Sequence, residues 1–167
     1  MCCLFGLADY GNSLSVRGRT QLLSALAAAS EERGVDATGI AYNSGGRLRV
    51  YKRPLPAHRM RFRVPGDAHV IMGHTRMATQ GEAARNRNNH PFRGRAGNTR
   101  FALAHNGVLW NDETLRWQYR LPATEIETGQ LCCGPASGTG PGIVFFQSGP
   151  HGGAVAGDFY FYGAGRG

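Results

Sequence analysis

Cys2 stands directly behind Met1, a place where one residue can supply both a nucleophile and a base. A small residue at position 2 permits removal of Met1, which leaves a thiol and a free α-amine on Cys2. That amine titrates near pKa ~8, close enough to neutrality to take the thiol proton directly or through a water. The thiolate, not the thiol, attacks a carbonyl carbon. Cys3 alternates to the opposite face of an extended segment and reads as a small apolar packing residue. Farther on, Gly73-His74-Thr75-Arg76-Met77-Ala78-Thr79-Gln80-Gly81 sets a cation and hydroxyls at a strand end. The Arg76 fork suits two-point recognition of a carboxylate. Asn88-Asn89-His90-Pro91-Phe92 follows, then Leu103-Ala104-His105-Asn106-Gly107-Val108. An Asn106 amide with the Gly107 N–H could stabilise an oxyanion in acyl transfer. Each feature also has a plainer reading: Cys2 as a small buried residue, Arg76 as a surface cation, Asn106-Gly107 as a turn.

The elements that would position these groups are legible before residue 128. Cys3 to Ala8 is a short apolar run closed by Gly11-Asn12, and it reads as a strand. Ser15 suits the N-cap of a helix to about Arg33, with Leu22, Leu23, Leu26 and Ala29 on one face and Gly34 as its stop. Thr38 to Tyr42 and Leu48 to Lys52 flank Asn43-Ser44-Gly45-Gly46, which predicts a hairpin. Ala68 to His74 and Phe101 to His105 are two further strands. The polar stretch from Gln80 to Thr99 between them reads as a long functional loop. The class is mixed α and β with mostly antiparallel strands.

Length and charge narrow the alternatives. The 167 residues, 41% hydrophobic, suit about one domain with a real core. No run approaches the roughly 20 apolar residues of a membrane span, and the start is not that of a secretory signal. The Cys2-Cys3 and Cys132-Cys133 pairs make a poor disulfide framework, which points to a reducing, cytoplasmic setting. His69, His74, His90 and His105 are dispersed and have no close Cys or His partners, so neither a metal nor a cofactor is expected. A net charge of +8 invites a nucleic-acid reading. Sparse aromatic interleaving among Arg59, Arg61, Arg63, Arg85, Arg87, Arg93 and Arg95, with no recognition signature, argues against it.

Together the segments resemble the class II glutamine amidotransferase (glutaminase) domains of the N-terminal-nucleophile hydrolases. The likeness is carried by Met1-Cys2-Cys3-Leu4-Phe5-Gly6, Arg33-Gly34-Val35-Asp36-Ala37-Thr38-Gly39, the Gly73–Gly81 segment, Asn88–Phe92 and Leu103–Leu109, in the family's order. It covers residues 2 to about 128. The resemblance implies an α+β fold, a four-layer α/β/β/α sandwich of antiparallel sheets. It implies hydrolysis of the glutamine side-chain amide through a thioester on Cys2, with its own amine as base. Asn106 and the Gly107 N–H would form the oxyanion hole, and Arg76 with Thr79 would bind the substrate α-carboxylate. Ammonia would pass to a separate synthase or transferase. Met77 and Gln80 replace the aromatic and His usual in that motif.

The likeness stops at Thr128. The family follows Glu-Thr with an Asp for the α-ammonium group, but Glu127-Thr128 is followed here by Gly129. Residues 129–167 hold 12 of the 25 glycines and only two charged residues, Asp158 and Arg166. Gly129 to Ala136 can be encoded so that omission of one nucleotide yields Asp-Ser-Tyr-Val-Ala-Val-Gln, which restores the missing Asp. The expectation is therefore an incomplete amidotransferase domain over 1–128 and an out-of-frame tail of low order over 129–167. The rival outcome is an inactive, truncated remnant.

Overall fold

The computed structural model describes residues 2–96, 99–106, 112–120, 123 and 142–147. Strand β1 (Cys3–Ala8) is followed by helix α1 (Val16–Ala29) and a 3₁₀ turn over Ser30–Arg33. The hairpin strands β2 (Ala37–Ser44) and β3 (Arg47–Arg53) come next, then β4 (Val70–Arg76), β5 (Phe92–Ala96) and β6 (Thr99–Asn106). Helix α2 (Asp112–Tyr119) and strand β7 (Gly142–Gln147) follow. One sheet has the order β1-β4-β2-β3, all antiparallel, and the other β5-β6-β7.

Alternation along the strands builds two cores. Phe5, Ile40 and Ile71 face Leu23 and Ala27 of α1, with Met60, Phe62 and Val64 closing that layer. Their neighbours Ala41 and Met72 face the other way, onto Ala102 and Ala104 of β6. The central strands β2 and β4 thus bury both faces, one under α1 and one against the second sheet. The order among the described residues is helix, sheet, sheet.

The start of α1 is held by a compact polar knot. Ser15 accepts from the Gly18 N–H at 3.1 Å, the N-cap bond expected of it. Asp9 accepts from the Ser13 hydroxyl (2.8 Å), the Ser13 and Leu14 main-chain N–H groups, and Arg19 Nη2 (3.1 Å). These bonds, the Ser13 hydroxyl first, hold the Asp9 carboxyl well below the usual carboxylate range. Arg19 is only 1% exposed and also donates to the Gly66 carbonyl at 2.7 Å, tying α1 to the chain that enters β4.

Several expectations need correction. The regular helix ends at Ala29 and tightens to a 3₁₀ turn before Gly34. Leu22 is 39% exposed, and Ala27 takes the buried place instead. Strand β5 lies inside the stretch expected to be all loop; Arg93 and Arg95 gave it a polar look, and Gly94 pairs opposite Phe101. Within the tail, Gly142–Gln147 forms β7 beside β6. That pairing is parallel, so the second sheet is not purely antiparallel. Ile143, Val144, Phe145 and Phe146 form a β-branched and aromatic run suited to a strand. The hairpin is as expected, with Gly45 and Gly46 at φ 57° and 67° in its turn. Along β3, Arg47, Arg49 and Arg53 are exposed on a sheet edge.

Candidate active site

Cys2 precedes β1, whose register sets Cys3 opposite Thr75 and therefore Cys2 beside Arg76. By alternation Cys2, His74 and Arg76 share the inter-sheet face with Leu4 and Met72, and Asn106 ends β6 on the face of Ala102 and Ala104. The Cys2 thiol is half-buried and donates to the Met77 carbonyl at 3.5 Å. Cys3 is also a free thiol, half-buried on the other side of the strand.

The Arg33–Gly39 motif braces this strand end. The Asp36 N–H donates to the Arg76 carbonyl at 3.0 Å, and its carboxylate accepts from the Ala78 N–H at 2.7 Å. Both bonds hold the main chain that presents the Met77 carbonyl to Cys2. Gly34 lies against the same peptide: a Cβ there would sit 2.4 Å from the Arg76 carbonyl carbon. A Cβ on Gly39 would sit 2.2 Å from the His90 carbonyl oxygen. Thr75 points the opposite way and donates to the Ser30 carbonyl at 2.8 Å.

Arg76 is 3% exposed. Its Nη1 donates to Asn89 Oδ1 at 2.7 Å, and its Nη2 to the carbonyls of Gln80 and of Gly81, the latter at 3.1 Å. The guanidinium thus fixes both ends of the loop from 80 to 89. Thr79 lies exposed in the bend after Ala78, and Asn106 is half-buried. Gly107, Thr128, Gly129 and the Cys132-Cys133 pair lie outside the described residues.

Three histidines that look scattered in sequence come together. His74 and His90 have ring centroids 4.2 Å apart, and a His74 ring nitrogen lies 3.2 Å from the His105 carbonyl oxygen. All three are buried. Burial pushes His74 down to about 3; the bond to the His105 carbonyl opposes that shift, and the charges of Arg76 and His105 add to it. Burial first, then His74, Arg76, His105 and Lys52, depresses His90 well below the ordinary histidine value, and burial depresses His105. The cluster is therefore neutral at neutral pH. Among the described residues, no group of three or more His, Cys, Asp or Glu is placed to hold a metal ion. No helix among them is long and apolar enough to cross a membrane.

Sequence comparison decides the family. Residues 1–133 match the class II glutamine amidotransferases. The chain belongs to that family. It is 34% identical over 124 residues to the glutamine–fructose-6-phosphate aminotransferase of Staphylococcus aureus (strain Mu50), covering 71% of this chain and 19% of that protein. The enzyme of the same name from Chlamydia muridarum is 37% identical over 120 residues, 70% of this chain and 18% of its own. The one from Symbiobacterium thermophilum is 39% identical over 89 residues, 52% of this chain and 14% of its own. The amidotransferase chain thus spans under a fifth of these relatives' lengths. Sequence reasoning missed Asn89 and the histidine cluster. Asn89 lay within a quoted motif, but only the fold connects it to Arg76.

Proposed function

We propose that this domain hydrolyses the side-chain amide of glutamine to glutamate and ammonia through a thioester on Cys2. Once Met1 is removed, the α-amine of Cys2 takes the thiol proton, and the sulfur attacks the amide carbon. The oxyanion so formed accepts hydrogen bonds from the Asn106 amide and the Gly107 N–H. Collapse expels ammonia, which leaves with the proton held by the amine. Water then attacks the thioester, the sulfur regains a proton, and glutamate leaves. Arg76 and Thr79 hold the α-carboxylate throughout. The observation that supports this reading is the half-buried Cys2 thiol at the Arg76–Met77 strand end, bonded to the Met77 carbonyl.

The relatives are named as aminotransferases of fructose 6-phosphate, which supports transfer of the ammonia to an acceptor; a separate synthase or transferase is the partner this reading proposes. The free Cys2 and Cys3 thiols fit a reducing, cytoplasmic setting. The full family sandwich has a fourth, helical layer, which the reading expects over the second sheet.

A second reading rests on Gly129, where the family has Asp. Without that carboxylate the α-ammonium of glutamine lacks a charged partner, and an unpaired buried charge costs roughly 3–5 kcal/mol. On this reading residues 129–167 are translated out of frame, and the chain as it stands is a poor or inactive glutaminase. One experiment addresses both. Ammonia release is measured for the chain itself, for Cys2→Ala and Cys3→Ala, and for a gene with one nucleotide deleted at codon 129. Activity lost in Cys2→Ala and kept in Cys3→Ala supports the nucleophile, as does an intact mass lacking Met1. Activity equal in the given and frame-altered chains refutes the second reading.

A further inference from the structure

We propose that Asn89 is the positioning residue for Arg76, fixing its guanidinium for the substrate carboxylate; this rests on the glutamine reading above. A long arginine side chain loses several rotors on binding unless its plane is set beforehand. Here the plane is set from within one loop. Arg76 Nη1 donates to Asn89 Oδ1 at 2.7 Å, while Nη2 donates to the Gln80 and Gly81 carbonyls at the loop's other end.

Asn89 can serve because it is itself immobilised. It is 0% exposed, its Nδ2 donates to the Ala83 carbonyl at 2.8 Å and to Asn86 Oδ1 at 3.4 Å, and its own carbonyl accepts from Lys52 Nζ. With the amide nitrogen committed to Ala83 and Asn86, the amide oxygen faces Arg76. An amide also orients a guanidinium without cancelling its charge, as a carboxylate would. The buried Asn89 therefore joins loop geometry to anion recognition, although it need not touch the substrate.

The test is calorimetric titration of L-glutamine into the full chain carrying Cys2→Ala, which binds without turnover. Asn89→Ala in that background should weaken Kd about tenfold, as loss of a hydrogen bond to a charged group does. Arg76→Lys, which cannot reproduce the two-nitrogen fork, should weaken it as well. With Arg76→Lys already present, Asn89→Ala should add less than about twofold, because both substitutions remove one shared interaction. The same tenfold loss in both backgrounds would overturn the proposal in favour of loop packing alone. So would an unchanged Kd in Asn89→Ala, or no glutamine binding by the Cys2→Ala chain at millimolar concentration. Asn89→Ser takes the place of Asn89→Ala if the latter does not fold. Glutamine binding without hydrolysis by the unsubstituted chain would sink the glutaminase reading and leave this one standing.

Discussion

At the residue scale, the two groups assigned to substrate should fail in different ways. Asn106→Ala removes a donor needed only near the transition state, so kcat should fall about a hundredfold with KM little changed. Arg76→Ala removes a grip on a group unchanged by the reaction, so KM should rise while kcat holds. It should also lower the melting temperature, because Asn89 Oδ1 and the Gln80 and Gly81 carbonyls lose their donor. Steady-state kinetics with thermal melts on both variants check this, and an unchanged kcat in a folded Asn106 variant would remove the oxyanion role. Cys2, Arg76 and Asn106 could be singled out in sequence because each belongs to a short local motif. Asn89 was not, since its part depends on a side-chain bond across 13 positions. Nor was the histidine cluster, whose members come from a strand, a loop and another strand.

At the element scale, the glycines of the Arg33–Gly39 motif hold strand ends together by having no side chain. Gly39 on β2 meets the main chain at His90 and the ring of Pro91 so closely that an added methyl forces backbone to move. Gly39→Ala should therefore sharply reduce soluble yield and melting temperature, by an overpacking cost of about 1–3 kcal/mol or more. Gly11→Ala, where a Cβ meets nothing within 4 Å, is the matched control. Equal melts for the two would show that the 90–91 segment yields easily. Sequence marked Gly34 as a helix stop and Gly39 only as the last residue of a motif, because a close approach between distant backbones leaves no local pattern. Capping, apolar alternation and the Gly45-Gly46 turn are local, and there β1, α1 and the hairpin could be read directly. Strand β5 escaped because Arg and Gly carry little strand propensity of their own.

At the scale of the whole molecule, the neutral histidine cluster couples folding to pH. His74, His90 and His105 have folded values below the ordinary 6.5, so the unfolded chain binds more protons once pH drops past that value. Stability is then full above about 6.5 and declines as pH falls toward the folded values. The depressed Asp9, Asp67 and Glu31 carboxyls act at lower pH, below their ordinary 3.8 and 4.5. Melting temperature should thus fall between pH 7 and pH 5, and His74→Gln should flatten that slope by about one proton. A flat profile across this window would show that the rings protonate inside the folded protein.

The arginines of β3 bear on how copies of the molecule behave towards one another. An open strand edge is a template for a second chain, and a row of like charges is a common guard. Among the described residues β3 ends its sheet, and with Arg47, Arg49 and Arg53 exposed along it, antiparallel approach of two copies would bring cations onto cations. The repulsion reaches only about a Debye length, ~8 Å at physiological ionic strength and ~3 Å at 1 M salt. The protein's colloidal behaviour should thereby be tied to its ionic surroundings: repulsion between β3 edges holds in dilute buffer and fades in concentrated brine.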